Sequence, residues 1–159
     1  MRPSTLAATG LAVAAAAGSG SIASSNAIPR WYARLRKPSY QPPHAAFPTV
    51  WTTLYGDIAV ASAVALDRFR ASGQRDKARA YTAALAANLL LNAGWSWLFF
   101  GYHKLGASAL GAAALTASSA DLVRRTAQVT PRGGLALLPY PLWCGFATAL
   151  STHIWRLNR

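Results

Sequence analysis

Long apolar runs separated by short basic segments constrain this sequence more than any other feature. The runs fall at about residues 5–26, 47–66, 80–100, 107–123 and 135–155. Because a helix rises about 1.5 Å per residue, about 20 apolar residues can cross the hydrocarbon core of a bilayer. Backbone polar groups must pair within the chain in that core, which favours helices for runs of this length. The sequence therefore predicts an all-α integral membrane protein, a bundle of five transmembrane helices in one domain.

The distribution of charge supports the same interpretation. Only 13% of the 159 residues are charged, whereas soluble domains typically carry about 25%. Sixteen Lys and Arg against four acids give a net charge of +12, a value that nucleic-acid-binding proteins also reach. Here the basic residues cluster in the connections between the apolar runs, where membrane proteins place them against lipid headgroups. We therefore expect membrane lipids, and no nucleic acid, among the partners.

The first apolar run fits two interpretations. It is long enough to be a first transmembrane helix, but Arg2, the Ala-rich stretch and the small residues around Ala27 would also serve as a secretory signal peptide. The segment that follows, residues 28–46, contains four prolines and four basic residues, so it is predicted to be a loop and not a regular helix.

Polar and aromatic residues share one face of the third run. Asn88, Asn92 and Trp95 recur at three- and four-residue spacing, so they lie on one side of a helix. Since an unpaired amide is costly in hydrocarbon, this face should point into the bundle. The amides either form interhelical hydrogen bonds or line a site for a flat, partly polar ligand. Asp57, an acid well inside a run, is either functional or a side chain that reaches the bundle interior.

The sequence shows no pattern of conventional catalysis or metal binding. Cys144 is the only cysteine, and His44, His103 and His153 lie far apart. The sequence contains no Ser-His-Asp pattern, no paired carboxylates and no glycine-rich phosphate loop. We predict no metal, no covalent cofactor, and no hydrolytic or phosphoryl-transfer reaction.

Five segments of the chain resemble one known family. They read WYAxLxKPSxxPP at Trp31–Pro43, FxxVWTxLY at Phe47–Tyr55, LNxxWSxLFFG at Leu91–Gly101, LPYxxWxxFAT at Leu138–Thr148 and IWRLN at Ile154–Asn158. In order and spacing these segments resemble the TspO/MBR family, the tryptophan-rich sensory proteins related to the mitochondrial translocator protein. The resemblance covers about residues 28–158.

The resemblance implies a retained first helix, a five-helix bundle that is usually a homodimer, and a pocket beneath the first loop that binds porphyrins such as protoporphyrin IX. Indole faces can stack on a macrocycle and amides can bind its polar edge. Matched by position, the ligand-binding residues are predicted to be Trp51, Asn92, Trp95, Tyr140 and Trp143, with Phe146 and Ala147 as further lining.

Three positions depart from the family pattern. Gly111 stands where many relatives carry an acid, Thr152 interrupts the cholesterol motif of the animal members, and Tyr40 replaces a loop tryptophan. We therefore expect any role of that acid to be absent here and the cholesterol motif to be broken.

The loop at residues 28–46 is predicted to close over the pocket as a lid. Prolines such as Pro42 and Pro43 restrict the open loop and so reduce the entropy lost on closure. Arg34 and Arg36 beside them suit either porphyrin propionates or lipid phosphates. Anchoring to headgroups alone is the alternative for these two arginines.

Three functions are compatible with these features. The first is a membrane sensor or regulator that binds a tetrapyrrole. The second is an enzyme that degrades the bound porphyrin with light and oxygen, with Trp51 and Trp143 as candidate redox partners. The third is transport of porphyrin or lipid, for which the apolar runs offer few polar residues. A bacterial membrane is the expected location.

Overall fold

Helices make up most of the chain. The computed structural model describes residues 1–25, 27 and 30–159. Asn26, Ile28 and Pro29 lie outside the described residues. The last residue of the predicted first run and the first two residues of the predicted loop are among these three. The helices are α1 Pro3–Ser25, α2 Ala46–Ala71, α3 Arg75–Ser96, α4 Leu105–Ala127, α5 Pro131–Leu137 and α6 Pro139–Leu157. Only Leu138 separates α5 from α6, so we count the two together as one helical rod, the fifth of the bundle; α1, α2, α3 and α4 are the other four rods. Since the described residues contain no strand, the predicted all-α five-helix bundle is confirmed.

Four of these rods have both the length and the hydropathy to cross a membrane. In the described part of the chain they are Pro3–Ser25, Ala46–Ala71, Arg75–Gly101 and Pro131–Leu157. The remaining rod, α4, has 23 residues but is less hydrophobic, because Gly, Ser and Thr take positions that larger apolar residues would fill. α4 therefore packs closely against its neighbours, as small residues allow.

The ends of the helices extend beyond the apolar runs. α2 continues to Ala71, past the predicted end at residue 66, and α3 begins at Arg75 instead of residue 80. Arg, Lys and Gln favour helices almost as well as Leu does, so the polar connection is largely helical. As a result, arginines lie on the outer turns of α2 and α3, at the level where a membrane presents its headgroups.

The fifth rod starts at a strong capping signal. The Thr130 hydroxyl accepts a hydrogen bond from the Gly133 N–H at 3.2 Å, and Pro131 occupies the first turn. A Cβ on Gly134 would lie 2.7 Å from the Ala127 Cβ, so only glycine lets α5 pack this closely on the end of α4. The Thr-Pro-Arg-Gly-Gly segment at residues 130–134 therefore starts a helix.

Large apolar side chains cover the outside of the bundle. Leu11, Leu90, Leu110 and Leu142, on four different helices, are each more than 70% exposed. Such a surface is unfavourable in water but suits contact with lipid chains. The protein is therefore a multi-pass integral membrane protein.

Candidate ligand-binding site

A cavity of about 310 Å³ lies at the end of the bundle that carries the C-terminus of α1 and the N-terminus of α2. Its wall is formed by α1, α2, α3, α6 and the first loop (residues 30–45), and no described residue of α4 belongs to it. We call it the aromatic cavity, and its lining comprises Ala17, Gly20, Ser21, Ser24, Tyr32, His44, Phe47, Pro48, Trp51, Tyr55, Asn92, Trp95, Ser96, Phe99, Phe100, Trp143, Ala147, Leu150, Ser151 and Ile154.

Three tryptophans on three helices form its main aromatic surfaces. The rings of Trp51 on α2 and Trp95 on α3 are 6.4 Å apart at an angle of 32°. Trp51 also stacks on Tyr55 at 5.5 Å, and Trp143 on α6 meets the edge of Phe47 at 5.8 Å. Aromatic faces arranged in this way favour a flat apolar ligand.

A π-helical turn at Trp97–Gly101 follows α3 directly. The wider turn brings both Phe99 and Phe100 to the cavity, and their rings contact each other at 4.8 Å. The Trp97 indole points away and donates to Ser19 Oγ on α1 at 2.9 Å. Turns of this kind occur often at functional sites, and here the turn supplies two of the aromatic residues of the wall.

A chain of hydrogen bonds runs from the cavity wall into the core of the bundle. The Tyr55 hydroxyl donates to Asn92 Oδ1 at 2.8 Å, and Asn92 Nδ2 donates to the Tyr140 hydroxyl at 3.4 Å. The Tyr140 hydroxyl donates to Asn88 Oδ1 at 2.8 Å, and Asn88 Nδ2 donates to Ser118 Oγ at 3.1 Å. This polar chain joins α2, α3, α4 and α6. Asn88 is therefore a structural amide, whereas Asn92 is both an interhelical partner and part of the cavity wall.

Two indole N–H groups of the wall lack hydrogen-bond acceptors within the described residues. They are Trp95 Nε1 and Trp143 Nε1, and both atoms are buried. For Trp95, the pyrrole edge faces α4, since a Cβ on Gly111 would lie 3.8 Å from Trp95 Cδ1, and the glycine offers it no side chain. Because a buried donor without an acceptor costs about 1–3 kcal/mol, an acceptor atom of a ligand or of water that reached either N–H would be stabilised there.

The first loop is fastened to the end of α6. The Arg36 backbone N–H donates to Asn158 Oδ1 at 3.0 Å, and Asn158 Nδ2 donates to the Arg36 carbonyl at 2.9 Å. The Tyr40 hydroxyl lies 3.2 Å from His153 Nδ1 on α6. These contacts hold the loop over the cavity in a defined position.

Tyr32 is a residue of the first loop whose side chain lines the aromatic cavity. Its side chain is buried and packs against Phe99 and Phe100, and its hydroxyl donates to Gln41 Oε1 at 3.1 Å. Burial raises the pKa of Tyr32 to about 12, so its hydroxyl keeps its proton at neutral pH. Neither Lys nor Arg is among the described lining residues, and the cavity wall is therefore almost uncharged.

The chain matches the model of the TspO/MBR family over residues 8–156. The chain belongs to the TspO/MBR family. It is 33% identical to the human translocator protein over 129 residues, which cover 81% of this chain and 75% of that protein. It is 34% identical to protein CrtK of Rhodobacter capsulatus over 151 residues, 93% of this chain and 89% of that one. It is also 30% identical to the tryptophan-rich sensory protein of Cereibacter sphaeroides, over 80% of this chain and 77% of the relative.

The structure of this TspO/MBR chain brings most of the predicted ligand-binding residues together. The predicted residues that line the aromatic cavity are Trp51, Asn92, Trp95, Trp143 and Ala147. Tyr140 lies behind the wall, fully buried in the polar chain, and Phe146 packs behind Trp143 at 5.2 Å. These two residues support the wall, and the roles of all seven in binding stay predictions.

The predicted lid residues occupy the outer side of the loop. Arg34 and Arg36 are exposed, Pro42 is half-buried and Pro43 is exposed, and none of the four lines the cavity. Asp57 also lies outside the wall, half-buried on α2. Arg34 and Arg36 of the loop therefore face away from the cavity, whereas Tyr32 faces in.

Sequence reasoning missed several wall residues. Tyr55 follows Trp51 by four residues, so it lies on the same helix face and could have been found from this spacing. Phe99 follows Trp95 by four residues, so the helical spacing already placed it on the same face, whereas the position of Phe100 depends on the π-helical turn, for which the sequence carries no clear signal. Gly20 and Ser21 on α1 look like packing residues, and only the tertiary structure shows that they face the cavity.

Proposed function

We propose that this chain is a membrane sensor or regulatory protein that binds a tetrapyrrole in the aromatic cavity. The observation that carries the proposal is the nearly uncharged wall in which Trp51 and Trp95 lie 6.4 Å apart and Asn92 adds an amide. Such a wall offers stacking surfaces to a flat macrocycle and hydrogen bonds to its polar edge. The similarity to a tryptophan-rich sensory protein supports the sensory role.

The closed aromatic cavity is small for a porphyrin. A volume of about 310 Å³ is at the low end of ligand pockets, which span roughly 300–1,000 Å³. A macrocycle with propionate groups therefore needs more room than the closed cavity has, and we expect the first loop to move outward on binding. The propionates would then extend past Tyr32 towards Arg34 and Arg36 on the exposed side of the loop.

We further propose that the protein acts in a bacterial membrane as a homodimer. Bacterial relatives such as CrtK support the location, and the resemblance to the family supports the dimer. Size determination in lipid nanodiscs tests the dimer directly, because one copy and two copies differ twofold in protein mass.

Titration of the protein in lipid nanodiscs with protoporphyrin IX tests the proposed function. We expect saturable changes in porphyrin absorbance and tryptophan fluorescence, with one site per chain. Trp51→Ala and Trp143→Ala should each weaken binding about tenfold, because an aromatic contact is worth about 0.5–1.5 kcal/mol beyond the area that it buries. Trp155→Ala is the matched control, since Trp155 lies on α6 outside the aromatic cavity. Binding that does not saturate, or equal affinities in all three variants, would contradict the proposal.

A further inference from the structure

A second cavity lies at the opposite end of the bundle, between α1 and α3. It has a volume of about 270 Å³ and is lined by Ser4, Thr5, Ala8, Thr9, Ala12, Leu66, Arg70, Thr82, Leu85, Ala86 and Leu89. An outer cavity of about 390 Å³ is lined by Arg2, Arg70, Arg75, Ala78, Arg79 and Thr82. Because Arg70 and Thr82 line both spaces, the two adjoin each other, and we call them together the arginine groove.

The groove exists because α1 has different partners at its two ends. Near the arginine end α1 is tied to α2: the Thr5 hydroxyl donates to Asp67 Oδ1 at 2.7 Å, and the Thr9 hydroxyl donates to the Ala59 carbonyl at 2.9 Å. At the other end α1 packs on α3, where a Cβ on Gly20 would lie 3.0 Å from Ser96 Oγ. α1 and α3 therefore leave a space between them at the arginine end, which we call the wedge.

The inner part of this wedge suits an acyl chain. Leu66, Leu85 and Leu89 are buried and form its floor, whereas Ala8 and Ala86 on its rim are exposed to the surrounding lipid. Its lining on α1 runs from Ser4 to Ala12, a distance of about 12 Å at the rise of a helix. Since its described lining contains no aromatic residue, the groove offers a narrow aliphatic trough and no stacking surface.

The mouth of the groove carries an excess of positive charge. Arg70 Nη1 donates to the Thr5 hydroxyl at 3.2 Å and lies 4.0 Å from Asp67 Oδ1. Arg79 lies 3.7 Å from Asp76, and both of these side chains are largely exposed. Arg2 and Arg75 also line the mouth. The backbone N–H of Arg2 donates to Asp67 Oδ2, but among the described residues the guanidinium groups of Arg2 and Arg75 form no ion pair with a carboxylate. Four arginines thus face two carboxylates, and guanidinium groups bind phosphate oxygens with two parallel hydrogen bonds.

We propose that the arginine groove binds one anionic phospholipid, with its phosphate on the arginines at the mouth and an acyl chain between α1 and α3. Charge alone does not make such a site. Arg124 and Arg125, on the same side of the membrane, both pair with Asp121, and neither lines any of the described cavities. The groove differs from that pair because its arginines stand over an apolar trough that opens to the lipid. This site is separate from the aromatic cavity and does not depend on tetrapyrrole binding.

Native mass spectrometry of the full chain tests the proposal. The protein is reconstituted in vesicles of phosphatidylcholine and phosphatidylglycerol, released into mild detergent, and the retained lipids are counted. We expect wild type to retain one phosphatidylglycerol per chain. The double variant Arg75→Gln/Arg79→Gln should retain at least about fivefold less, since each basic residue near an anionic membrane contributes about 1 kcal/mol. Ala86→Leu should cause a similar loss by filling the trough with no change of charge.

The control is Arg124→Gln/Arg125→Gln, which removes two charges on the same side and should retain the lipid as wild type does. Equal losses in this control and in the groove variants would overturn the proposal in favour of general headgroup attraction, as would full retention in Ala86→Leu. Displacement of the lipid by millimolar inorganic phosphate would overturn it as well, because a site that needs the acyl chain should prefer the lipid. Circular dichroism of each variant checks that the helices are intact before lipids are counted.

Discussion

The aromatic cavity and the arginine groove lie at opposite ends of the same three helices, α1, α2 and α3, and share no lining residue. The wall of the cavity contains eight Phe, Tyr and Trp residues from the first loop, α2, α3, α6 and the π-helical turn, and it has almost no charge. The described lining of the groove has four arginines and no aromatic residue. One end therefore suits a flat ligand enclosed by protein, and the other suits a lipid that stays partly in the bilayer.

The origin of this difference is the way in which α1 crosses its neighbours. At the cavity end the close contact of Gly20 with Ser96 brings α1 onto α3 and closes the wall. At the groove end Thr5 and Thr9 hold α1 on α2 instead. A single helix thus closes one site and opens the other, which follows from the positions of small and hydroxyl residues along it.

The largest effect should come from breaking the polar chain that lies behind the aromatic cavity. Tyr140→Phe removes the hydroxyl that donates to Asn88 Oδ1 and accepts from Asn92 Nδ2. Each of the two amides therefore loses one hydrogen bond. We expect a loss of about 1–2 kcal/mol in the free energy of unfolding, measured by titration with a denaturing detergent. Tyr102→Phe is the control, since Tyr102 is 63% exposed, and its change should stay below about 0.5 kcal/mol. Equal stability of the two variants would show that the polar chain does not hold the helices together.

A smaller effect should separate stacking from hydrogen bonding in the cavity wall. Trp143→Phe keeps an aromatic ring but removes the buried N–H that has no acceptor among the described residues. We expect about fivefold weaker binding of protoporphyrin IX, because a hydrogen bond contributes about 1 kcal/mol. Trp97→Phe is the control, because it removes an indole N–H that donates to Ser19 and does not line the cavity. In the fluorescence titration this variant should bind protoporphyrin IX as tightly as wild type does. If Trp143→Phe binds as tightly as wild type, the N–H does not contact the ligand.

The smallest effect should be on the rate at which the porphyrin dissociates when the first loop opens. Asn158→Ala removes two hydrogen bonds to the Arg36 backbone, so the closed loop should open more often. We expect the porphyrin to dissociate about threefold faster in stopped-flow measurements, since opening one surface contact changes the free energy by less than about 1 kcal/mol. Arg156→Gln, at an exposed residue of α6 outside the aromatic cavity, keeps both backbone bonds and is the matched control. A wild-type dissociation rate in Asn158→Ala would show that the ligand leaves by another path.

The sequence predicted the all-α bundle and most of the candidate site, for reasons that are local. Apolar runs report transmembrane helices directly, and Trp51, Asn92, Trp95 and Trp143 stand in motifs whose spacing is typical of the family. The position of Arg34 and Arg36 on the outer side of the loop depends on how Tyr32 packs under it, which no local pattern reveals. No local pattern reveals the arginine groove either, because it lies between helices that are far apart in sequence.

The most direct test of the central claim is an experimental structure of the protein with protoporphyrin IX bound in a lipid environment. We predict that the macrocycle lies in the aromatic cavity between Trp51, Trp95 and Trp143, with the first loop displaced outward and the polar chain intact. A macrocycle bound in the arginine groove or on the lipid-facing surface, with the aromatic cavity closed as it is here, would contradict the account.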